Sequence, residues 1–198
     1  MANFNAIEAT SVTLAGLIKD GWHSKFDKEL NVEIYQTSNF ESPMQVEGFS
    51  IYLYRVAING SLRNLTFRRT ADGSRFRPSL PLDLYYMITP WAEDSGHQHY
   101  MLGWVMRMLE DLGTLSSSHL NHYIGYDGET HAFSVNESID IICEPLALND
   151  YFTIWDRLRT LPLSMTYVLR MVMVDSDVKI EDGSLVQTRS FDMGEVVI

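Results

Sequence analysis

The chain has little that would staple it covalently or hold it in a membrane. Its 198 residues include one cysteine, Cys143, so no disulfide can form within a single chain. No apolar run reaches the roughly 18 residues that span a bilayer. Residues 1–22 also lack the apolar stretch of a signal peptide. These absences predict a cytoplasmic protein with no direct membrane insertion, unless a larger particle carries it out.

Positive charge is scarce as well. The chain carries 15 Lys and Arg against 26 Asp and Glu, a formal net charge of -11. This balance predicts no nucleic acid partner, because phosphate binding requires a basic surface. Residues 55–77 hold six arginines against the single acid Asp72, so this segment is +5 and the remainder is −16. The segment is either a solvated loop with scattered charge or a basic patch that docks on an acidic surface.

Hydrophobic periodicity predicts one domain of the α+β class, a mainly antiparallel sheet with flanking helices. The predicted helices span residues 5–20, 99–112 and roughly 148–158, and the predicted strands span 30–35, 50–58, 82–88, 139–144 and 165–174. Residues 59–81 should form an extended loop or hairpin, and residues 116–136 should be irregular. We expect a domain over residues 1–175 and an acidic tail over 176–198.

Single residues set several of these boundaries and burials. Gly21 should end the first helix, and Gly113 should end the second. Pro90 should end the strand predicted over residues 82–88. The alternation in residues 30–35 places Leu30, Val32 and Ile34 on the inner face. Because residues 50–58 are apolar on both faces, this strand should be covered on both sides, with Arg55 partly buried.

The sequence offers no positive sign of a chemical site. His97 and His99, and His119 and His122, form two closely spaced pairs, but they lack the cysteines or the H-E-x-x-H helix of a zinc site. Exposed loop histidines explain them more simply. Cys143 lies in an apolar strand, where a thiol normally packs. We therefore predict no enzyme, no cofactor and no metal.

The end of this sequence carries too few apolar side chains to form a core. Residues 175–198 contain six acids and two bases. One interpretation is a disordered acidic tail that aids solubility. The other is a segment that adds as a strand to the sheet of a neighbouring protein. The apolar residues that would line this strand are Leu185, Val186, Val196, Val197 and Ile198.

Five blocks in order resemble a known family. The first contains Tyr52-Leu53-Tyr54-Arg55-Val56, Asn59 and Leu62-Arg63-Asn64, and the second runs from Pro81 through Leu82-Asp83-Leu84 to Thr89. Met101-Leu102-Gly103, Glu144-Pro145-Leu146 with Trp155, and Tyr167-Val168-Leu169-Arg170 complete the set. Over residues 6–175 the chain resembles the N-terminal domain of cap, or tube-terminator, proteins of extracellular contractile injection systems. These are the virulence-cassette and antifeeding-prophage particles, which are related to phage tails.

The resemblance implies a tail-terminator-like fold and a structural role. A homo-hexameric ring would lie on the last ring of the inner tube protein, end tube growth, and join the tube to the sheath protein. The particle would be released on lysis or attached to a membrane. A basic loop on an acidic body agrees with head-to-tail ring contacts. The residues expected at these interfaces are Arg63, Asn64, Arg68, Arg69, Arg75, Arg77, Leu185, Val186, Val196, Val197 and Ile198.

Three alternatives stay open at this point. The chain could be another structural subunit of such a particle, in the baseplate or collar. It could be a metal-binding module built on the histidines. It could also be a free-standing binding domain, which predicts a monomer.

Overall fold

The fold comes from a computed structural model that describes residues 4–62, 65–124, 133–158 and 162–180. Four helices are α1 (Ala6–Phe26), α2 (Ser95–Leu112), α3 (Ser117–His122) and α4 (Leu148–Leu158). The strands are β1 (Asn31–Tyr35), β2 (Gly48–Ile58), β3 (Arg68–Arg69), β4 (Arg75–Phe76), β5 (Leu80–Trp91), β6 (Thr114–Ser116), β7 (Ser138–Cys143) and β8 (Met165–Val174). A short 3-10 helix, Thr37–Glu41, joins β1 to β2.

Six strands form the main sheet, in the order β1-β2-β5-β8-β7-β6. All neighbours are antiparallel except β1 and β2, which run parallel at one edge. The predicted α+β fold with a mainly antiparallel sheet is confirmed. Gly48 begins β2 where the two parallel strands lie very close, since a Cβ atom there would be 2.2 Å from the Asn31 carbonyl oxygen.

Helices α1 and α2 cover one face of this sheet and make the main core. Leu14 and Ile18 of α1 are fully buried, as are Met101 and Val105 of α2. They pack against inward side chains of the central strands, including Phe49, Ile51, Tyr86 and Ile88. The hydroxyl groups of Ser11 and Tyr86 lie 2.8 Å apart, which satisfies the buried phenol.

The prediction that Gly21 ends the first helix is wrong, because α1 continues to Phe26. A glycine in a helix costs only about 1 kcal/mol relative to alanine, and local packing offsets that cost. The ring of Trp104 lies 3.6 Å from the position of a Cβ atom at Gly21, and Trp22 is buried 5.0 Å from the Trp104 ring. Tertiary contact therefore overrides the local preference.

The second helix begins earlier than predicted and ends as predicted. Asp94 caps α2, since its carboxylate accepts a hydrogen bond of 2.8 Å from the backbone N–H of His97. The helix therefore starts at Ser95 rather than His99. Gly113 ends it with a φ of 62°, a conformation that favours glycine.

Pro90 does not end its strand, contrary to the prediction, because β5 continues to Trp91. Strand β8 pairs with β5 only as far as Ile88, while β2 continues alongside to Trp91. Pro90 therefore lies where β5 has one neighbouring strand rather than two, and a missing N–H donor is tolerated there.

One burial prediction for the edge of the sheet is wrong, the inward position of Ile34. Leu30 is buried as predicted, but Ile34 is 47% exposed, and Tyr35 is buried instead by the Phe40 ring at 5.3 Å. The region 116–136 also contains regular structure, the helix α3, which buries Leu120. Residues 125–132 lie outside the described part of the chain.

Candidate interaction surfaces

The arginine-rich segment folds as a short hairpin, which resolves the choice between loop and hairpin. Arg68 pairs with Phe76 and Arg69 with Arg75. The turn closes with a 2.9 Å hydrogen bond from the Gly73 N–H to the Thr70 carbonyl, and Gly73 has a φ of 84°. A turn residue at positive φ favours glycine, which explains why the chain reverses here.

The acid at the hairpin tip is held by its neighbours. The carboxylate of Asp72 accepts hydrogen bonds from the Thr70 hydroxyl, from the Ser74 N–H at 3.2 Å, and from the Ser74 hydroxyl at 2.9 Å. These bonds, the hydroxyl of Thr70 first, lower the pKa of Asp72 to about 2. The tip therefore keeps its negative charge throughout the physiological pH range.

Arginines and phenylalanines alternate around this hairpin. The Arg68 guanidinium lies 4.7 Å from the ring centre of Phe76, and those of Arg69 and Arg75 lie 5.2 Å and 4.9 Å from Phe67. Such cation–π contacts restrict where the guanidinium groups can point. Phe67 itself is 38% exposed. The hairpin therefore presents cations and aromatic carbon together.

The chain returns to this hairpin after β8. The Arg77 N–H donates to the Val178 carbonyl at 3.0 Å, and the Ile180 N–H donates to the Arg75 carbonyl at 2.8 Å. Arg68 donates through Nη2 to the Ser176 carbonyl at 3.2 Å, and its Nε lies 3.6 Å from the Asp175 carboxylate. Arg68 is therefore engaged within its own chain. The start of the predicted acidic tail already pairs with the outer strand of the hairpin.

Residues 59–81 leave the sheet after β2, carry the hairpin and return to β5; this segment is the hairpin excursion. A buried polar cluster joins its two ends. Asn59 is 1% exposed, and its Nδ2 donates to both carboxylate oxygens of Asp83, at 3.0 Å and 3.1 Å. The backbone N–H of Asn59 donates to the Pro81 carbonyl at 2.9 Å. Asp83 also accepts from the Met171 N–H at 3.3 Å, where β8 bulges with a φ of 71°. The residues where the hairpin excursion leaves and rejoins the sheet are thus tied together.

Sequence reasoning missed this cluster as a structural unit. Asn59 and Asp83 both appear in the blocks that carry the family resemblance. Asp83 was the signal that could have revealed the cluster. It is an acid inside the otherwise apolar strand β5, and a buried carboxylate requires hydrogen-bond partners.

An acidic groove lies on the sheet face away from α1 and α2. Tyr86 points into the core, so the alternation of β5 places Tyr85 on the opposite face. A bulge in β2 brings both Tyr54 and Arg55 to Tyr85, with ring centres 6.2 Å apart and the guanidinium 4.9 Å above the ring. Arg55 is exposed, so its predicted partial burial is wrong.

Carboxylates and α4 complete the wall of this groove. Its volume is about 340 Å³, and its lining includes Glu144, Asp150, Thr153 and Ile154. Burial, followed by the charge of Glu144, raises the pKa of Tyr54 to about 12. The phenol is therefore neutral, and the negative charge of the groove comes from the exposed carboxylates.

A second groove of about 270 Å³ adjoins the first and shares Pro145 and Leu146 with it. Met87, Met106 and Cys143 line it. Cys143 is exposed at the end of β7, so the prediction of a packed thiol is wrong. Partial burial, and then the charge of Glu110, raises the pKa of this thiol and keeps it protonated.

Helix α4 presents apolar side chains beside the two grooves. Leu148 is 68% exposed, Phe152 56% and Tyr151 37%. These residues are spaced at i, i+3 and i+4, so they form one stripe of the helix. The predicted two-sided cover of residues 50–58 is also wrong at its far end, since Val56 and Ile58 are 46% and 56% exposed. Exposed apolar surface of this kind commonly marks a docking site.

The four histidines of the two sequence pairs lie on two helices, α2 and α3, rather than in the predicted loops. His97 lies on the first turn of α2, with its Nε2 3.1 Å from a Glu47 carboxylate oxygen, and its ring stacks on Tyr100. His119 lies on α3, with Nδ1 3.2 Å from the Ser116 hydroxyl. No group of three or more His, Cys, Asp or Glu residues in the described ranges is arranged to hold a metal ion. Within the same ranges, no helix is both long and apolar enough to cross a membrane.

Seven of the residues predicted for interfaces lie outside the described residues. They are Arg63, Asn64, Leu185, Val186, Val196, Val197 and Ile198. The other four, Arg68, Arg69, Arg75 and Arg77, lie together on the hairpin or directly after it. Their role at an interface stays a prediction.

The chain matches a known protein family. The sequence profile described as the Pvc16 N-terminal domain matches residues 9–188. The chain therefore belongs to the Pvc16 N-terminal domain family, and the predicted resemblance is confirmed. A comparison with curated protein sequences gives no match.

Two solved structures share the fold. One is the sheath/tube terminator of an extracellular contractile injection system, PVC, in its extended state, with a TM-score of 0.57 and 14% identity. The other is the tube-terminating cap of the anti-feeding prophage, with a TM-score of 0.55 and 14% identity. The likeness covers 94% and 100% of this chain, but only 64% and 62% of those chains. The sequence thus spans less than two thirds of the length of either cap.

Proposed function

We propose that this chain is the tube-terminating cap of a phage-tail-like contractile injection system. The observation that carries the proposal is family membership over residues 9–188, together with a fold shared with two tube terminators. The role is structural: the cap ends the inner tube and joins it to the last ring of the sheath. We assign no catalytic step to any residue.

The experiment removes the gene from a strain that makes the particles and measures tube length by electron microscopy. Without the cap, we expect tubes of uncontrolled length or particles whose sheath end is frayed, and a plasmid copy should restore a single length. Particles of normal length and normal sheath ends would contradict the proposal.

Position in the particle separates the cap from the competing structural roles. Gold particles directed to a tag on this chain should mark the end distal to the baseplate. Label at the baseplate would favour the baseplate alternative instead. A collar subunit would leave tube length unchanged when it is absent.

We propose further that the cap is a homo-hexameric ring. Each copy carries a basic hairpin and an acidic body, and two different surfaces on one chain suit head-to-tail contacts that close by rotation. Imaging of the assembled particle should give six-fold symmetry at the cap. Three-fold or twelve-fold symmetry would overturn this part of the proposal, whereas the free chain can be monomeric because polar interfaces are often weak.

A further inference from the structure

The acidic groove offers the chemistry that recognises a guanidinium group. Its floor is aromatic, formed by Tyr54 and Tyr85, and its wall carries the exposed carboxylates of Glu144 and Asp150. Arg55 lines the same groove, 4.9 Å from the centre of the Tyr85 ring, so a guanidinium packs against these tyrosines, and its charge offsets one of the two carboxylates. Carboxylates beside an aromatic face bind a cation through charge and through the ring together.

The hairpin carries the complementary chemistry on the same chain. Arg69 and Arg77 are exposed, and Arg69 lies 5.2 Å from the ring centre of the exposed Phe67. The hairpin presents cations and aromatic carbon, and the acidic groove presents anions and aromatic carbon. Complementary charge between two surfaces determines both their register and the choice of partner. The apolar stripe of α4 beside the groove, with Leu148 and Phe152, extends the match to Phe67.

The hairpin does not reach the groove of its own chain. Leu80 begins β5 beside the hairpin, and Tyr85 lies five residues further on, about 17 Å along an extended strand. The pairing of β4 with residues 178–180 holds the hairpin at its end of the sheet. A hairpin that enters the groove therefore comes from another copy of the chain.

We propose that the acidic groove and the α4 stripe of one copy receive the β3–β4 hairpin of the next copy. This rests on the proposed ring, whose head-to-tail contacts require two different surfaces on each chain. The Asn59–Asp83 cluster then has a functional consequence, because it fixes the direction in which the hairpin leaves the sheet. The neighbour's Arg69 or Arg77 lies between Glu144 and Asp150.

Zero-length cross-linking tests the contact directly. The variant Arg69→Lys/Arg77→Lys keeps the charge and supplies amines that carbodiimide couples to carboxylates in contact. Particles are assembled from equal amounts of ¹⁴N- and ¹⁵N-labelled variant, cross-linked and digested. We expect peptides that join the introduced lysines to Glu144 or Asp150, with half of these pairs carrying mixed isotopes because the link crosses between copies.

The variant Arg107→Lys is the matched control. Arg107 is exposed and forms an ion pair with Asp111 four residues away on α2. Its cross-link should join peptides of one isotope only. If the hairpin lysines couple within one chain, to carboxylates outside the groove, or to a tube or sheath protein, the proposal is wrong.

Charge exchange gives a second, independent measurement. Arg69→Glu/Arg77→Glu and Glu144→Arg/Asp150→Arg should each lower the yield of capped particles roughly tenfold or more, because like charges then face each other. Combining all four changes in one chain should restore capping. Failure of the combination, with each folded by circular dichroism, would overturn the contact. The tube-length phenotype of the gene deletion would remain, so this failure is distinguishable from failure of the proposed function.

Discussion

Two carboxylates in this protein, those of Asp83 and Asp72, accept hydrogen bonds from neighbouring polar side chains. The amide of Asn59 donates to the carboxylate of Asp83 where the hairpin excursion begins, and both residues are buried, so water replaces this interaction poorly. At the exposed tip of the hairpin, the hydroxyls of Thr70 and Ser74 do the same for Asp72. The hydrogen bonds to Asp83 therefore contribute to the stability of the whole fold, whereas those to Asp72 order only the tip of the hairpin.

Removing the Asn59 amide should destabilise the fold. In Asn59→Ala the carboxylate of Asp83 loses two hydrogen bonds in a buried site, and we expect the free energy of unfolding to fall by about 2–3 kcal/mol. Denaturant unfolding measures this loss. Ser61→Ala, at an exposed neighbouring position, is the control and should change the unfolding free energy by less than about 0.5 kcal/mol. Equal effects of the two substitutions would show that the cluster contributes little.

The tip carboxylate should titrate well below its ordinary range. The folded pKa of Asp72, about 2, is below the ordinary value of 3.8, so the stabilisation from its hydrogen bonds is fully present above pH 3.8. They are lost as the pH falls through the folded pKa. A carboxyl NMR titration should therefore give a midpoint near 2, moving towards the ordinary value in Thr70→Val. An unshifted midpoint in the native chain would contradict the hydrogen bonding described for the tip.

At the scale of elements, the hairpin and the segment after β8 act as one unit. Strand β4 pairs with β3 on one side and with residues 178–180 on the other. Arg68 connects the two through Asp175 and the Ser176 carbonyl. The four hairpin arginines are therefore not equivalent, since Arg68 faces its own chain and Arg69 faces outward.

This difference can be measured by hydrogen exchange. In Arg68→Ala the segment 175–180 loses its ion pair, so the Ile180 amide, which donates to the Arg75 carbonyl, should exchange up to roughly tenfold faster. Arg69→Ala removes a guanidinium of the same size and should leave this amide unchanged. Equal protection in the two variants would mean that Arg68 does not hold the segment.

At the scale of the whole molecule, the two faces of the main sheet differ in burial. Helices α1 and α2 bury the centre of one sheet face, while the opposite face keeps its grooves, carboxylates and apolar helix stripe exposed. Substitutions of exposed side chains on the opposite face should therefore change the stability of the fold little.

Deleting residues 181–198 tests the proposed strand addition by the end of the sequence. The truncated chain should fold with an unchanged melting temperature and still end the tube. The sheath end should detach or contract early, because the added strand would be missing. Electron microscopy of particles before and after incubation measures both effects. Particles that behave as wild type would support the interpretation of an acidic segment that only aids solubility.

Most elements of the fold follow from local pattern alone. The alternation and length of apolar runs predicted the central strands, and the amphipathic stretches predicted α1, α2 and α4. The cluster of arginines between turn residues predicted an extended loop or a hairpin, and the ordered blocks from Tyr52 to Arg170 predicted the family. These are properties of neighbouring residues, so they can be read without knowing what packs against them.

Tertiary structure decided where local preference was weak. Gly21 lies within a helix because Trp104 packs over it, and Pro90 lies within a strand because only one neighbour is present there. Ile34, Val56 and Ile58 are exposed although their pattern is that of core residues. The acidic groove brings Tyr54, Tyr85 and Glu144 together from three separate parts of the chain. Such a site arises from strand order and a bulge in β2, and sequence spacing contains neither.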